Sequence, residues 1–266
     1  MEKIVLKEEK LIDFLINNFD YSNKKIKKLL TDGNVLVDNQ VIKKYDYILK
    51  NNQKVKINIY NRSKLFTIIY EDKDIIVVDK PCNMLTIKDN TGEISLYNLV
   101  SEYVKSKNKL AKIFIVHRLD KETSGIVLFA KNEYVKNKFQ DNWNDIAIER
   151  KYMAIVTGKA KDKDTLKSFL KENQNHFVYS ANTGKLAITE YNKIKEDNEY
   201  TYLDIKIQTG RKNQIRVQLK DNNTPILGDK KYGGKSYNRL CLHAYRLVII
   251  NPINNKKMIF ESVIPF

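Results

Sequence analysis

The stretch 115-IVHRLDKETSGIVLFAK-131 decides how this chain folds. Its front half is polar and turn-like, and its back half is an apolar run from Ile126 to Ala130. A short apolar run bounded by turn residues reads as a strand buried on both faces. Asp120 then stands in the turn that feeds this strand, with Arg118 before it and Thr123-Ser124-Gly125 after it. Such a turn can present one carboxylate at a cleft while its neighbours fix the backbone. An ordinary surface Arg–Asp turn looks the same locally, so the decision falls on the rest of the chain.

Three other segments carry uncommon residues. In 149-ERKYMAIVTG-158, Tyr152 stands on a strand after the basic pair Arg150-Lys151. In 209-TGRKNQIRVQL-219, Arg211 and Arg216 fall in a helix opened by Gly210; five residues apart, they project in different directions. In 225-PILGDKKYGG-234, Asp229 lies in a Gly-rich loop, followed by 239-RLCLHAYRL-247. The chain has 41 Lys and only 7 Arg, and six of the arginines fall between 118 and 246. Where plain charge suffices this sequence uses Lys, so its arginines mark places that need a planar, bidentate group.

Strand-like runs surround these segments: LFTIIYE (65–71), DIIVVDK (74–80), LAITEYNKI (186–194), TYLDIKIQT (201–209) and RLVIIN (246–251). The spacing predicts helices over 93–108, 132–145 and 211–221, and Asn83 is placed in a left-handed turn after Pro81-Cys82. This part is a β-rich α+β domain.

The first sixty residues read as a separate unit. EKLIDFLINNF has a helical apolar period, and Ser22 is placed to cap a second helix, KKIKKLL. In that helix Ile26, Leu29 and Leu30 form the buried stripe and Lys24, Lys25, Lys27 and Lys28 the outer surface. DGN at 32–34 supplies a turn, VLVDNQVI a hairpin around Asp38-Asn39, and Lys54–Ile59 a further strand. Residues 60–64 are a short polar link.

The 266 residues carry a net charge of +16, with +4 in the first sixty and +12 in the remainder. Charge spread over both parts attracts a polyanion, and nucleic acid is the commonest one. Cys82 and Cys241 lie 159 residues apart, neither a disulfide scaffold nor a zinc pattern. GDKKYGGKS has Asp229 where a phosphate loop needs its first Gly. No second carboxylate pairs with Asp120 as a glycosidase would require. No metal or cofactor is expected, and His117 and His243 are assigned to hydrogen bonds within turns. MEKIVLKEEK lacks the apolar core of a signal peptide, and no run of 18 apolar residues exists. The reading is a cytoplasmic protein with no membrane segment.

Taken together, the segments from 63 to 266 resemble the RluA-type family of pseudouridine synthases, and HRLDxxTSGxxxxAK is matched in full at 117–131. Residues 1–62 resemble the small RNA-binding domain of ribosomal protein S-four, with Ser22-Asn23 where that domain usually has Ser-Arg. The resemblance implies an α+β fold, a mixed and largely antiparallel sheet crossed by a cleft. It implies isomerisation of uridines in RNA, most of all large-subunit ribosomal RNA, by a monomer without cofactor. Residue by residue, it makes Asp120 the catalytic aspartate, acting either on C1′ or on the 2′-proton. Tyr152 becomes the tyrosine stacked on the target base and close to its C5 proton. Arg216 becomes the arginine paired with Asp120, and Arg118 the residue that fills the flipped nucleotide's place. Ile215 becomes part of the apolar wall, and Lys80 and Lys151 residues of the site rim. Asn213 stands where the family commonly has His. The reading from another class is a non-catalytic RNA-binding factor of ribosome assembly that keeps the fold.

Overall fold

The computed structural model describes residues 2–57, 65–88 and 93–266. The link expected over 60–64 and the end of the strand expected over Lys54–Ile59 lie outside the described residues. The chain divides into two compact units, 1–64 and 65–266.

The first unit runs β1 (Glu2–Ile4), β2 (Glu9–Lys10), α1 (Leu11–Asn18), α2 (Asn23–Thr31), β3 (Val35–Val37), β4 (Gln40–Val41), β5 (Ile48–Leu49) and β6 (Lys54–Ile57). Strands β1, β6, β3 and β4 form one antiparallel sheet in that order, and β2 pairs with β5. The apolar stripes of both helices do bury: Leu11, Phe14 and Leu15 pack with Ile26, Leu29 and Leu30 over Val35, Val37 and Val55. Ser22 caps α2 by accepting the Lys25 backbone N–H at 3.4 Å. Asp38 and Asn39 both take positive φ (47° and 67°), as a two-residue hairpin turn demands. Lys24, Lys25, Lys27 and Lys28 are exposed on α2.

The second unit continues with β7 (Thr67–Glu71), β8 (Ile75–Lys80), α3 (Leu96–Lys107), β9 (Phe114–Ile115), β10 (Ser124–Ala130), α4 (Glu133–Asp141), α5 (Trp143–Ile146), β11 (Glu149–Thr157), β12 (Lys163–Glu172), β13 (Val178–Ala181), β14 (Lys185–Glu196), β15 (Tyr200–Ile207), α6 (Gln214–Asp221), β16 (Leu242–Ile250) and β17 (Lys257–Glu261). One sheet runs β13-β12-β14-β15-β11-β16-β10-β8-β7, with β17 added to β16 and β9 to β10. Every pairing among its described residues is antiparallel except β10 with β16.

That parallel junction is two residues long, Ser124 beside His243 and Gly125 beside Ala244. Past it, β16 pairs with β17 and β10 with β9. The sheet therefore parts at the motif. Gly125 is required there. Its φ is +118°, and a Cβ on it would lie 2.3 Å from the Ala244 carbonyl oxygen. All seven residues of β10 are buried, as the apolar run implied.

Two expectations shift. The helix expected over 132–145 is α4 and α5, broken at Asn142 (φ −133°, ψ 32°). The helix expected from 211 begins at Gln214, because Asn213 takes a left-handed conformation (φ 53°).

Candidate active site

Asp120 sits in the loop between β9 and β10, and the residues of the turn after β8 hold that loop on both sides of it. The Thr86 hydroxyl donates to the Leu119 carbonyl (2.7 Å) and accepts the Leu119 N–H (3.2 Å). The Lys80 ammonium donates to the carbonyls of Lys121 (3.0 Å), Met84 (2.7 Å) and Pro81 (3.0 Å). The Cys82 thiol donates to the Glu122 carbonyl. Backbone atoms at 119, 121 and 122 are thus pinned, and the carboxylate between them keeps its direction. Asn83 takes the expected left-handed turn (φ 60°).

A cavity of about 200 Å³ opens beside the carboxylate. Asp120, Arg118 and Thr123 of the motif loop, Tyr152 of β11, and Asn213, Ile215 and Arg216 at the start of α6 all line it. Tyr152 arrives at a register shift between β11 and β16, which falls between Lys151 and Met153. The positive end of α6 and its lead-in face the cavity and favour an anion there. Thr123 is buried, and its hydroxyl has no hydrogen-bond partner among the described residues.

The arginine expected to pair with Asp120 does something else. Arg216 is 2% exposed and grips Asp229 with two bonds, Nε to Oδ2 and Nη2 to Oδ1, both 2.8 Å. Its Nη1 donates to Glu122 at 3.0 Å, and its guanidinium lies 5.3 Å from the Tyr232 ring centre. No Arg216 nitrogen comes within 4 Å of an Asp120 oxygen. Two carboxylates and a ring already satisfy the fork, so it reaches Asp120 only through space. It also ties α6 to the motif loop by way of Glu122.

The electrostatic result follows. Burial raises the Asp120 carboxyl above its ordinary 3.8, and the neighbouring Glu122 charge pushes the same way. Arg216 is the strongest opposing influence, with Arg118 and the Asn213 backbone N–H behind it. Burial, helped by the Asp120 charge, pushes the Tyr152 phenol up to about 12. It is a neutral phenol at neutral pH. Burial lowers the Lys80 ammonium to about 8, against the pull of Cys82 and Asp120.

Other expected residues separate into those the cavity includes and those it does not. Arg118 is exposed on its wall and Ile215 is buried in it. Lys80 is not at the rim: it is fully buried beneath the loop, because its three carbonyl acceptors lie there. Lys151 is not at the rim either. It alternates to the opposite side of β11 from Tyr152 and pairs with Asp204 at 2.9 Å. His117 accepts the Leu128 N–H and stacks on Trp143. His243 bridges the Ser124 and Ser262 hydroxyls. Burial holds both imidazoles low, at about 3 and about 4. Asp229, fully buried, was readable only as a loop residue. The signal that could have found it is the rule already used, that a scarce arginine implies a bidentate partner.

Residues 74–221 match the RNA pseudouridylate synthase family. An uncharacterized RNA pseudouridine synthase of Aquifex aeolicus is 33% identical over 97% of this chain and 91% of its own. Ribosomal large subunit pseudouridine synthase D of Borreliella burgdorferi is 32% identical over 92% and 79%. The solved structure of human RNA pseudouridylate synthase domain containing 4 superposes with a TM-score of 0.64 at 20% identity, covering 75% of this chain and 88% of that one. The chain belongs to the RNA pseudouridylate synthase family. It is an isomerase that converts uridine in RNA to pseudouridine, and its mixed sheet is the fold of that class. Among the described residues no helix is long and apolar enough to cross a membrane.

Proposed function

We propose that Asp120 is the catalytic carboxylate and that the substrate is large-subunit ribosomal RNA. The observation that carries the first part is that Asp120, Tyr152 and the start of α6 line one cavity of about 200 Å³. The conversion breaks C1′–N1, turns the uracil and forms C1′–C5; the proton on C5 leaves and N1 regains one. None of this needs an oxidant or an energy source. The target must first leave its stack, at a cost of a few kcal/mol. Exposed Arg118 at the cavity mouth occupies the space it vacates.

Asp120 acts on the ribose as a carboxylate, at C1′ or at the 2′-hydrogen. Burial favours its protonated form, and Arg216, Arg118 and the start of α6 work against that. Tyr152 stacks on the freed uracil, which is worth roughly 1–3 kcal/mol per base. As a neutral phenol it does not serve as a phenolate base. Lys80 and Arg216 act as positioning residues: one pins the loop from below, the other ties it to α6.

Residues 1–62 supply non-specific phosphate contacts through Lys24, Lys25, Lys27 and Lys28, all exposed on one capped helix. The name of the Borreliella burgdorferi relative supports ribosomal RNA as the target. Both cysteines are free, in keeping with a reducing cytoplasm, and one chain's own residues complete the cavity, in keeping with a monomer. The test is tritium release from C5-tritiated large-subunit ribosomal RNA, with base-resolved mapping of pseudouridine in cells with and without the protein. Release, and a site that vanishes in the deletion strain, supports the assignment. Release from transfer RNA alone refutes the substrate.

A further inference from the structure

The cavity at Asp120 has a neighbour that holds a charge which the reaction does not use. A second cavity of about 520 Å³ shares Arg118, Tyr152, Ile207, Gly210 and Arg211 with the first and extends to the turn between α4 and α5. Arg150 is in its wall, only 7% exposed. Among the described residues its guanidinium makes one hydrogen bond, from Nη2 to the Gln208 carbonyl at 2.6 Å. Its Nε has no partner among the described residues. Among the described residues no carboxylate oxygen lies within 4 Å of it.

The neighbours do not compensate. Arg118 and Arg211 line the same space and carry the same sign. Asp141 and Asp145 also line it, but both are exposed and neither pairs with Arg150. A buried cation without a counter-charge destabilises the fold. Gly210 leaves the edge of the guanidinium open, since a Cβ there would come within 3.2 Å of Nη1. An open fork of N–H donors matches a phosphate in both shape and charge.

We propose that Arg150, with Arg118 and Arg211 at the rim, binds a phosphodiester of the RNA next to the uridine in the Asp120 cavity. This rests on reading that first cavity as the uridine pocket. The two exposed aspartates repel a free anion, so the site suits a phosphate delivered on a chain already anchored next door, at high effective concentration.

The test is Arg150→Met, which keeps an apolar stem and removes the charge, in the full chain. Filter binding to a large-subunit ribosomal RNA transcript is measured over a potassium chloride series, beside a thermal melt. Expected is about tenfold weaker binding and a salt slope shallower by about 0.7–0.9, one phosphate's worth. The melting temperature is unchanged or higher, and Arg150→Lys regains part of the affinity. A wild-type slope in Arg150→Met overturns the proposal, as does an affinity loss in both variants that follows a fall in melting temperature. Inorganic phosphate at constant ionic strength is expected to leave wild-type binding unchanged. Displacement of the RNA by phosphate, abolished in Arg150→Met, would assign the site to the free ion instead. Failure of wild-type protein to release tritium refutes the uridine pocket separately, because the salt slope is read from binding alone.

Discussion

Asp229→Asn is the perturbation that bears most on how the site is held. The substitution is close to isosteric but removes the charge that grips Arg216 from within the core, where neither side chain exceeds 3% exposure. Breaking a buried pair costs about 3–5 kcal/mol because it strands the partner's charge. Here Glu122 remains as a second acceptor, and it is 41% exposed. The lower end therefore applies, about 3 kcal/mol. For a domain the size of residues 65–266, each kcal/mol moves the melting temperature by about 2–4 °C, so the loss is roughly 6–12 °C. With the Asp229 charge gone, the Arg216 charge that already holds Asp120 down is less compensated, so the acid limb of kcat/KM moves to lower pH. The double variant Arg216→Met, Asp229→Asn removes the stranded cation while keeping an amide oxygen for the Lys231 and Tyr232 N–H groups that Asp229 Oδ1 also accepts; it should regain part of the stability and none of the activity. Calorimetry of the three proteins, beside a pH profile of tritium release, decides the matter. A melting temperature within a degree of wild type in Asp229→Asn would refute the argument, as would a double variant as unstable as the single.

The raised pKa of Asp120 places its acid limb above pH 3.8. Activity is lost as pH falls through that limb, because the carboxylate takes up a proton, and Arg216→Met moves the limb to higher pH. The same shift means that folding favours protonated Asp120, so a pH titration of stability in wild type against Asp120→Asn should show the variant more stable near neutrality. Tyr152→Phe keeps the stacking ring and should retain activity, whereas Tyr152→Ala should lose about 10- to 100-fold in single-turnover rate; equal losses in both would mean that the hydroxyl carries the function. Gly125→Ala forces a Cβ to within 2.3 Å of a carbonyl oxygen at positive φ, and soluble yield and melting temperature should both collapse, by about 2–6 kcal/mol in stability.

Much of this was legible because β10 is short, apolar and bounded by turn residues, and because the helices of the first unit keep a clean period. Strands β12 and β13 were not. Most of β12 is exposed, and its apolar residues Leu166, Phe169 and Leu170 keep no two-residue period, so no alternation marks it in the sequence; backbone pairing with β14 makes it a strand. Arg118, Asp120, Tyr152, Ile215 and Arg216 line one cavity, as the family resemblance implied. Their partners were not legible, because a salt bridge between Arg216 and Asp229 joins a helix to a loop, and sequence does not say which of several nearby acids a fork will choose. Lys80 shows the converse. A Lys before Pro reads as a surface residue, yet three convergent carbonyls make it a buried strut.

The most direct measurement is single-turnover tritium release by Asp120→Asn on a C5-tritiated ribosomal RNA that wild type converts. Binding of the same RNA is followed in parallel. A carboxylate poised beside a neutral tyrosine and a helix start should be indispensable, so the variant binds as wild type does and releases nothing. Release at a rate comparable to wild type would remove Asp120 from the chemistry and contradict the account.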